Sequence, residues 1–159
     1  MPVIKFDLSA EGISRALEEL KVYGESVKSL DERVVKRLAK DGAENARQLV
    51  AYMDAIDTGE LSGSIIDEVS DKTGYVKATA PHAAYVEFGT GVVGAGAPHP
   101  ATIGWAYDVN GHGEAGWMYP GDDGKWHWTK GMASRPYMYD TAQMMAQAVP
   151  QIVEEELQS

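Results

Sequence analysis

Residues 83–91 (AAYVEFGTG) contain the side chain of this chain that is best placed for chemistry, the carboxylate of Glu87. The alternation of side chains predicts a strand over 83–88, with Val86 and Phe88 on its core face and Glu87 on the other. A carboxylate there could serve a small hydrolase as a general base, with a second carboxylate elsewhere. It could equally be a structural charge that needs a cationic partner.

The glycine-rich stretch 89–94 matches the G-x-G-x-x-G pattern of dinucleotide-binding proteins, and Asp108 follows at about the spacing of a ribose-binding acid. That fold requires a helix to begin directly at the glycine turn. The residues Gly94, Gly96, Pro98 and Pro100 predict that no helix forms here. The sequence therefore predicts no nucleotide cofactor.

Other catalytic and metal-binding patterns are incomplete. The four histidines lack the i, i+4 spacing of a helical zinc motif, and the chain has no cysteine: His82, His99, His112 and His127. The polar stretch 108–114 lacks the closing glutamate of a calcium loop. Asp108 or Glu114 could pair with Glu87, but no G-x-S-x-G motif is present. We predict no metal and no cofactor, and a small hydrolase centred on Glu87 stays open as an alternative.

The tryptophans are concentrated in one short part of the chain: Trp105, Trp117, Trp126 and Trp128. Residues 117–119 and 126–128 flank Pro-Gly-Asp-Asp-Gly, a strong turn signal, so 117–128 predicts a hairpin. Trp126 and Trp128 share one face of its second strand. Two interpretations stay open, packing onto the hairpin's own domain or an exposed patch that meets another subunit or a sugar.

The remaining patterns predict an α+β fold with a long N-terminal helix and a C-terminal helix packed on a small antiparallel sheet. The predicted N-terminal elements are an edge strand over 3–8, a short helix capped by Ser9, and a long helix from the Ser29–Glu32 capping box to about Ala55. Strands over 64–69, 75–79 and 83–88 are predicted to form an antiparallel meander, followed by a long loop over 89–116 and the hairpin over 117–128. A helix from Tyr137 is predicted to end the domain, and Pro150 either interrupts it or marks its last turns.

Length and charge narrow the class of protein. The 159 residues suit one domain, 1–159, and no apolar run is long enough to span a bilayer. Residues 1–50 hold nine basic and nine acidic side chains, and the remainder holds five and fifteen, so the second part carries the whole net charge of −10. This balance argues against tight binding to nucleic-acid phosphates. The tail at 154–156, three glutamates, is predicted to be solvated.

Three motifs in order resemble one known family. They are Asp57-Thr58-Gly59-Glu60-Leu61-Ser62-Gly63-Ser64-Ile65, then Tyr85-Val86-Glu87-Phe88-Gly89-Thr90-Gly91, then Lys130-Gly131-Met132-Ala133-Ser134-Arg135-Pro136-Tyr137-Met138. Their order and spacing behind a long helix resemble the tailed-bacteriophage neck proteins of the Hong Kong ninety-seven "gene product ten"-like family. The family more often has Phe-Leu after the proline, and Tyr137-Met138 keeps an apolar anchor there.

The resemblance implies a non-enzymatic structural virion protein at the head–tail junction, made in the host bacterial cytoplasm. It would form a homo-oligomeric ring, expected to be a hexamer, that contacts neck and tail proteins and lets DNA pass without specific binding. Tail-terminator and head-closure roles stay open, as does a carbohydrate-binding module that uses the Trp hairpin. The structural and interface residues implied are Thr58, Gly59, Leu61, Ser64, Tyr85, Glu87, Phe88, Gly89, Gly91, Trp117, Trp126, Trp128, Gly131, Arg135 and Pro136.

Two further expectations concern charge. Glu87 and Arg135 are each the lone charge of an apolar motif, so we expect them to form an ion pair. The acidic excess of the second part is expected to line a channel that repels DNA phosphate.

Overall fold

A computed structural model describes residues 9–55, 59–101, 104–107, 115–121 and 123–158. The fold is α+β, as the sequence predicts. The helices are α1 (Ala10–Lys28), α2 (Leu30–Tyr52), α3 (Glu60–Gly63), α4 (Ala83–Phe88), α5 (Gly91–Gly96) and α6 (Tyr137–Gln158). The strands are β1 (Ile65–Ser70), β2 (Thr73–Ala78), β3 (Trp117–Pro120), β4 (Trp126–Thr129) and β5 (Gly131–Met132). The predicted strand over 3–8 and the motif residue Thr58 lie outside the described residues.

Helices α2 and α6 form an antiparallel pair beside the β1–β2 hairpin. Glycines allow this close packing, because a Cβ on Gly42 would lie 3.0 Å from Val76 Cγ2 and 3.5 Å from Met145 Cγ. A Cβ on Gly74 would lie 3.1 Å from the carbonyl oxygen of Val35. Helices α2 and α6 and strand β2 therefore pack closely at Gly42 and Gly74, where glycine leaves room for the neighbouring element.

The hydrophobic core lies between α2, β1, α4 and the start of α6. Its buried residues are Ala43, Ala46, Val50, Leu61, Ile65, Ala80, Ala83, Val86 and Tyr137. Leu61, Val86 and Tyr137 come one from each of the three sequence motifs, so the motifs meet in a single core. Burial raises the pKa of the Tyr137 phenol, and the nearby charge of Glu87 adds to the rise.

The predicted strand over 83–88 is wrong, because this segment forms helix α4. Its buried residues are Ala83, Val86 and Glu87, the i, i+3, i+4 spacing of one helix face. A six-residue segment of mostly small and apolar side chains fits both periodicities, and packing on the core decides between them. The first sheet accordingly has two strands, and Asp71-Lys72, both at positive φ, make the two-residue turn between them.

The prediction that no helix follows the glycine turn is also wrong. Helix α5 begins at Gly91 and ends before Ala97. The prolines at 98 and 100 follow the helix instead of preventing it, as prolines beyond a C-cap commonly do. Gly94 belongs in this helix for a steric reason, because a Cβ there would lie 2.9 Å from Tyr107 Cδ1.

Helix α1 begins as predicted, but it is not the short helix that the sequence suggested, because it continues through Gly24 to Lys28. Ser9 caps α1 by accepting a hydrogen bond from the Gly12 N–H at 3.0 Å. Helix α2 ends at Tyr52, a little before the predicted end. Ser29 is the single residue between α1 and α2, but its hydroxyl does not cap α2. It instead accepts from Arg33 at 2.7 Å.

Arg33 ties this junction to the end of α6. Its guanidinium donates to the Ser26 carbonyl at 3.1 Å and to the Ser29 hydroxyl, and it pairs with the Glu156 carboxylate at 3.2 Å. The prediction that the acidic tail is solvated is therefore wrong for part of it. A second arginine of α2, Arg37, also contacts these glutamates.

Arg37 pairs with Glu155 at 2.6 Å and with Glu156 at 3.4 Å. Hydrogen bonds from Gln151 and then from Arg37 hold the pKa of Glu155 below its ordinary value. Helix α6 continues through Pro150 to Gln158, so the proline does not interrupt the helix and instead lies in its last turns, the second of the two predicted alternatives. No helix in the described part of the chain is long and apolar enough to cross a membrane.

Candidate functional site

Glu87 is buried, with 6% of its surface exposed, at the point where α4, the loop after α5 and the start of α6 meet. Its Oε2 accepts a hydrogen bond from the Met138 N–H, and its Oε1 accepts from the Tyr139 N–H, both at 2.9 Å. Oε1 also lies 2.9 Å from His99 Nε2. Both carboxylate oxygens are therefore engaged inside the protein.

The position of Glu87 at the first turn of α6 explains why a carboxylate is tolerated there. The first N–H groups of a helix have no partner within the helix, and its N-terminus carries partial positive charge. Glu87 supplies an anionic acceptor to Met138 and Tyr139 from a different helix. The residue thus acts as a tertiary cap that joins the second motif to the third.

His99 is the third partner of Glu87, and sequence reasoning had weighed it only as a metal ligand. Because a carboxylate only accepts hydrogen bonds, His99 Nε2 is the donor in this contact. The other ring nitrogen, Nδ1, lies 2.9 Å from the Ala101 nitrogen and 3.0 Å from the Ala101 carbonyl oxygen. The described residues hold no cluster of histidine and acidic side chains that could bind a metal ion. The two prolines that flank His99 restrict the backbone there, and this was the sequence signal that could have indicated a histidine held in a fixed position.

Aromatic side chains cover this cluster and order part of the predicted long loop. Phe88 stacks on Trp105 with ring centroids 4.9 Å apart and lies 4.6 Å from the His99 ring. The Trp105 Nε1–H donates to the Gly89 carbonyl at 3.0 Å, and the Tyr107 hydroxyl accepts from the His99 N–H. Residues 104–107 therefore fold back onto α4, in a region predicted to lack structure.

The predicted Glu87–Arg135 ion pair does not form among the residues that the structure describes. Glu87 instead takes His99 and two backbone N–H groups. The Arg135 motif still reaches α4, but through its backbone, because the Arg135 N–H donates to the Val86 carbonyl at 2.9 Å. The Ser134 hydroxyl donates to the Glu87 carbonyl at 2.6 Å.

Gly89 and Gly91 let the segment after the Trp hairpin lie against the turn between α4 and α5. Both have positive φ, 78° and 60°. A Cβ on Gly89 would lie 2.6 Å from the Ser134 nitrogen, and one on Gly91 would lie 2.5 Å from the Lys130 carbonyl oxygen. Gly131 pairs with Gly91 in an antiparallel bridge, and a Cβ on it would overlap Thr90.

The predicted hairpin over 117–128 is confirmed as the antiparallel pair β3–β4. Trp128 lies opposite Met118 and Trp126 lies opposite Pro120, so these four apolar residues share one face. We call this set the hairpin platform. Trp126 is 67% exposed and Trp128 is 57% exposed.

The other face of the hairpin anchors it to the domain. A Cβ on Gly91 would lie 2.9 Å from the Trp117 ring, so Trp117 packs directly on the start of α5. Trp128 is also attached to the domain, since its Nε1–H donates a hydrogen bond to the Ala115 carbonyl at 3.0 Å. Trp117 thus packs internally, whereas Trp126 and Trp128 present most of their ring surface to solvent.

The first motif supports the core beneath the Glu87 cluster. Gly59 has a φ of 82° at the start of α3, and Leu61 is 3% exposed in the core. The Ser64 hydroxyl donates to the Leu61 carbonyl at 2.8 Å. Pro136 precedes α6, and its carbonyl accepts from the Asp140 N–H. Tyr85 is half exposed and meets Trp105 edge-on.

Sequence reasoning did not single out His99, Arg33 or Arg37 as structural residues. Arg33 and Arg37 are spaced i, i+4 on one helix, and Glu155 and Glu156 are adjacent near the end of α6. This spacing of opposite charges was a usable signal.

No family model, no curated protein and no solved structure matches this chain.

Proposed function

We propose that this chain is a non-enzymatic structural protein of a tailed-phage virion that joins head and tail as a ring. The observation that carries the proposal is the convergence of the three motifs of the resemblance. Leu61, Val86 and Tyr137 share one core, and the Glu87 carboxylate caps the helix of the third motif. Motifs that are far apart in the sequence therefore act as one structural unit.

The geometry of Glu87 favours assembly over catalysis. A general base needs a free lone pair that can reach a substrate. Glu87 is 6% exposed, and its oxygens accept from Met138, Tyr139 and His99. The carboxylate thus lacks the open cleft that a hydrolase centred on this residue would require.

The hairpin platform is the surface we assign to contact with another protein of the particle. Exposed tryptophans are common anchors of protein interfaces. The four residues of the hairpin platform are apolar. A chain that forms a closed ring needs two different surface patches that bind each other, and the platform could supply one of them. The ring could occupy a tail-terminator or head-closure position. We propose a hexamer at the head–tail junction.

The test of the function is the copy number of the chain in purified virions, measured by quantitative mass spectrometry and by electron microscopy of the neck. The proposal expects a ring-sized copy number, close to six, at the head–tail junction. The proposal would be refuted if the chain were absent from virions whose genome encodes it. A ring with a strongly basic lumen would refute the acidic channel while leaving the ring in place.

Replacing both exposed tryptophans, Trp126→Ser with Trp128→Ser, is expected to leave folding nearly intact and to abolish incorporation into particles. The matched control is Tyr119→Ser on the opposite face of the same hairpin, where the exposed fraction is 45%. Thermal unfolding checks the fold, and the fraction of particles that contain the chain checks assembly. Full incorporation of the double variant would show that the platform is not an interface.

A carbohydrate-binding module is the second candidate, because Trp126 and Trp128 lie exposed on one strand face as sugar platforms require. Against it, the neighbours that complete the face are Met118 and Pro120, which offer no side-chain hydrogen bond to a sugar hydroxyl. Quenching or a shift of tryptophan fluorescence on titration with oligosaccharides, lost in the double variant, would favour this candidate over the ring.

A further inference from the structure

Helix α1 presents an exposed apolar stripe. Ile13, Leu17, Leu20 and Val27 lie on one face of the helix, and their exposed fractions are 42%, 62%, 53% and 42%. The i, i+4, i+7 spacing of the first three is the pattern by which amphipathic helices dock into apolar grooves. A stripe of this size on a helix is a surface that another element is expected to cover.

The same chain carries an open apolar groove of about 400 Å³ between α2, β2 and α6. Its walls include Leu38 of α2, Val76 of β2 and Met145 of α6. Ala142 and Ala146 are exposed along its α6 side. These two small residues, one helical turn apart, leave the space into which longer side chains can fit.

The stripe cannot fill the groove of its own chain. Antiparallel helices in contact need a connection of about two to five residues, whereas Ser29 alone separates α1 from α2. Arg33 holds this junction by donating to the Ser26 carbonyl and to the Ser29 hydroxyl. Helix α2 forms one wall of the groove, so α1 would have to fold back along α2 to reach it.

The groove accommodates the first part of the stripe, although the whole stripe is longer than the groove. From Ile13 to Val27 the stripe extends about 21 Å at the helical rise. The groove follows α6 from Met138 to Val149, which is about 16 Å at the same rise. The groove is thus long enough for three of the four stripe residues, because Ile13, Leu17 and Leu20 span only about 10 Å at this rise.

We propose that the α1 stripe of one copy docks into the α2–β2–α6 groove of a second copy. The contact joins two different patches, so each added copy leaves one stripe and one groove available, and the series either closes as a ring or extends as a filament. Closure as a ring rests on the proposed function, whereas the contact rests on the stripe and the groove alone.

The experiment measures self-association of the full chain by sedimentation velocity over a concentration series up to about 1 mM. Leu17→Glu is the stripe variant, and Val22→Glu is its control, because both residues are 62% exposed and lie on opposite faces of α1. Ala146→Leu fills the groove, and Ala51→Leu makes the same change at an exposed alanine of α2 outside it. Circular dichroism verifies that each variant is folded.

We expect the wild type and both controls to associate, and Leu17→Glu and Ala146→Leu each to weaken association at least tenfold. An equimolar mixture of these two variants should form a complex with one copy of each. The Leu17→Glu chain keeps an intact groove, and the Ala146→Leu chain keeps an intact stripe. Such a mixed pair cannot grow further, so it should remain a dimer.

Three results would overturn the contact: a wild type that stays monomeric throughout, variants that associate like the wild type, or a mixture that stays monomeric. If the wild type forms rings that Leu17→Glu also forms, the contact is wrong and the ring stands. If the wild type stays monomeric in solution, the contact is wrong, and the copy number in virions judges the ring separately.

Discussion

Replacing Glu87 with alanine is expected to lower the free energy of unfolding by about 3–5 kcal/mol, the usual cost of removing one partner from a buried charged network. The substitution would leave the N–H groups of Met138 and Tyr139 and the Nε2–H of His99 without their acceptor. It would also remove a negative charge from the N-terminus of α6. Urea denaturation of the full chain measures the change.

Glu87→Gln separates charge from shape in the same position. The amide keeps one acceptor oxygen, but its NH₂ group would face donors, so we expect an intermediate loss of about 1–3 kcal/mol. Glu44→Gln, at an exposed position of α2, is the control and should change stability by less than about 0.5 kcal/mol.

Hydrogen exchange gives a local readout that a general loss of stability would not give. The amides of Met138 and Tyr139 should lose protection in Glu87→Gln relative to the middle of α6. If Glu87→Gln matched Glu44→Gln in stability and kept both amides protected, the capping role of Glu87 would be wrong.

Gly91→Ala is expected to destabilise the protein by about 2–4 kcal/mol, because it combines backbone strain with a steric clash. Gly91 has a φ of 60°, and its Cβ would lie 2.5 Å from the Lys130 carbonyl oxygen and 2.9 Å from the Trp117 ring. The clash falls where the hairpin rests on α5. We therefore expect the near-ultraviolet circular dichroism of the tryptophans to weaken as well.

Gly96→Ala is the matched control for this prediction. Gly96 lies in the same short helix, and a Cβ there would have no atom within 4 Å. Its replacement should leave the stability unchanged or raise it slightly, since alanine restricts the unfolded chain more than glycine does. Equal stability of the Gly91→Ala and Gly96→Ala proteins would contradict the packing of Trp117 on Gly91.

The Glu87 cluster and the hairpin are connected through α4 and α5, and both attachments support the exposed tryptophans. Glu87 fixes α6 to α4, and Gly91 and Trp117 fix the hairpin to α5. The Trp126 and Trp128 rings are then held on a rigid support. If the hairpin platform is the interface that we propose, loss of either attachment should reduce assembly even when the platform residues themselves are unchanged.

Much of the fold could be predicted from local patterns. The periodicities of α1, α2 and α6 and the turn signals of both hairpins are each contained within a few turns or a few residues. The Ser9 cap is of the same kind, because the bond to Gly12 spans three residues. In such cases the partner of each group lies nearby in the sequence, so residue type and spacing suffice.

The failures share a different cause. Residues 83–88 fit a strand and a helix equally well, and only the burial of Ala83, Val86 and Glu87 against the core selected the helix. Helix α5 looked forbidden because its glycines are poor helix formers, yet Gly94 is needed where Tyr107 approaches. Tertiary contacts outweighed weak local preferences in both segments.

The sequence by itself determined that Glu87 must have a partner, since a lone charge within an apolar segment is costly when buried. The sequence also predicted that the three motifs lie in one domain, and Leu61, Val86 and Tyr137 share one hydrophobic core. Only the tertiary structure decided the partners, His99 and the first N–H groups of α6, in place of Arg135. The reason is physical: a buried carboxylate is satisfied by whichever donors the packing brings within 3 Å, and backbone donors at a helix start leave no trace in residue type.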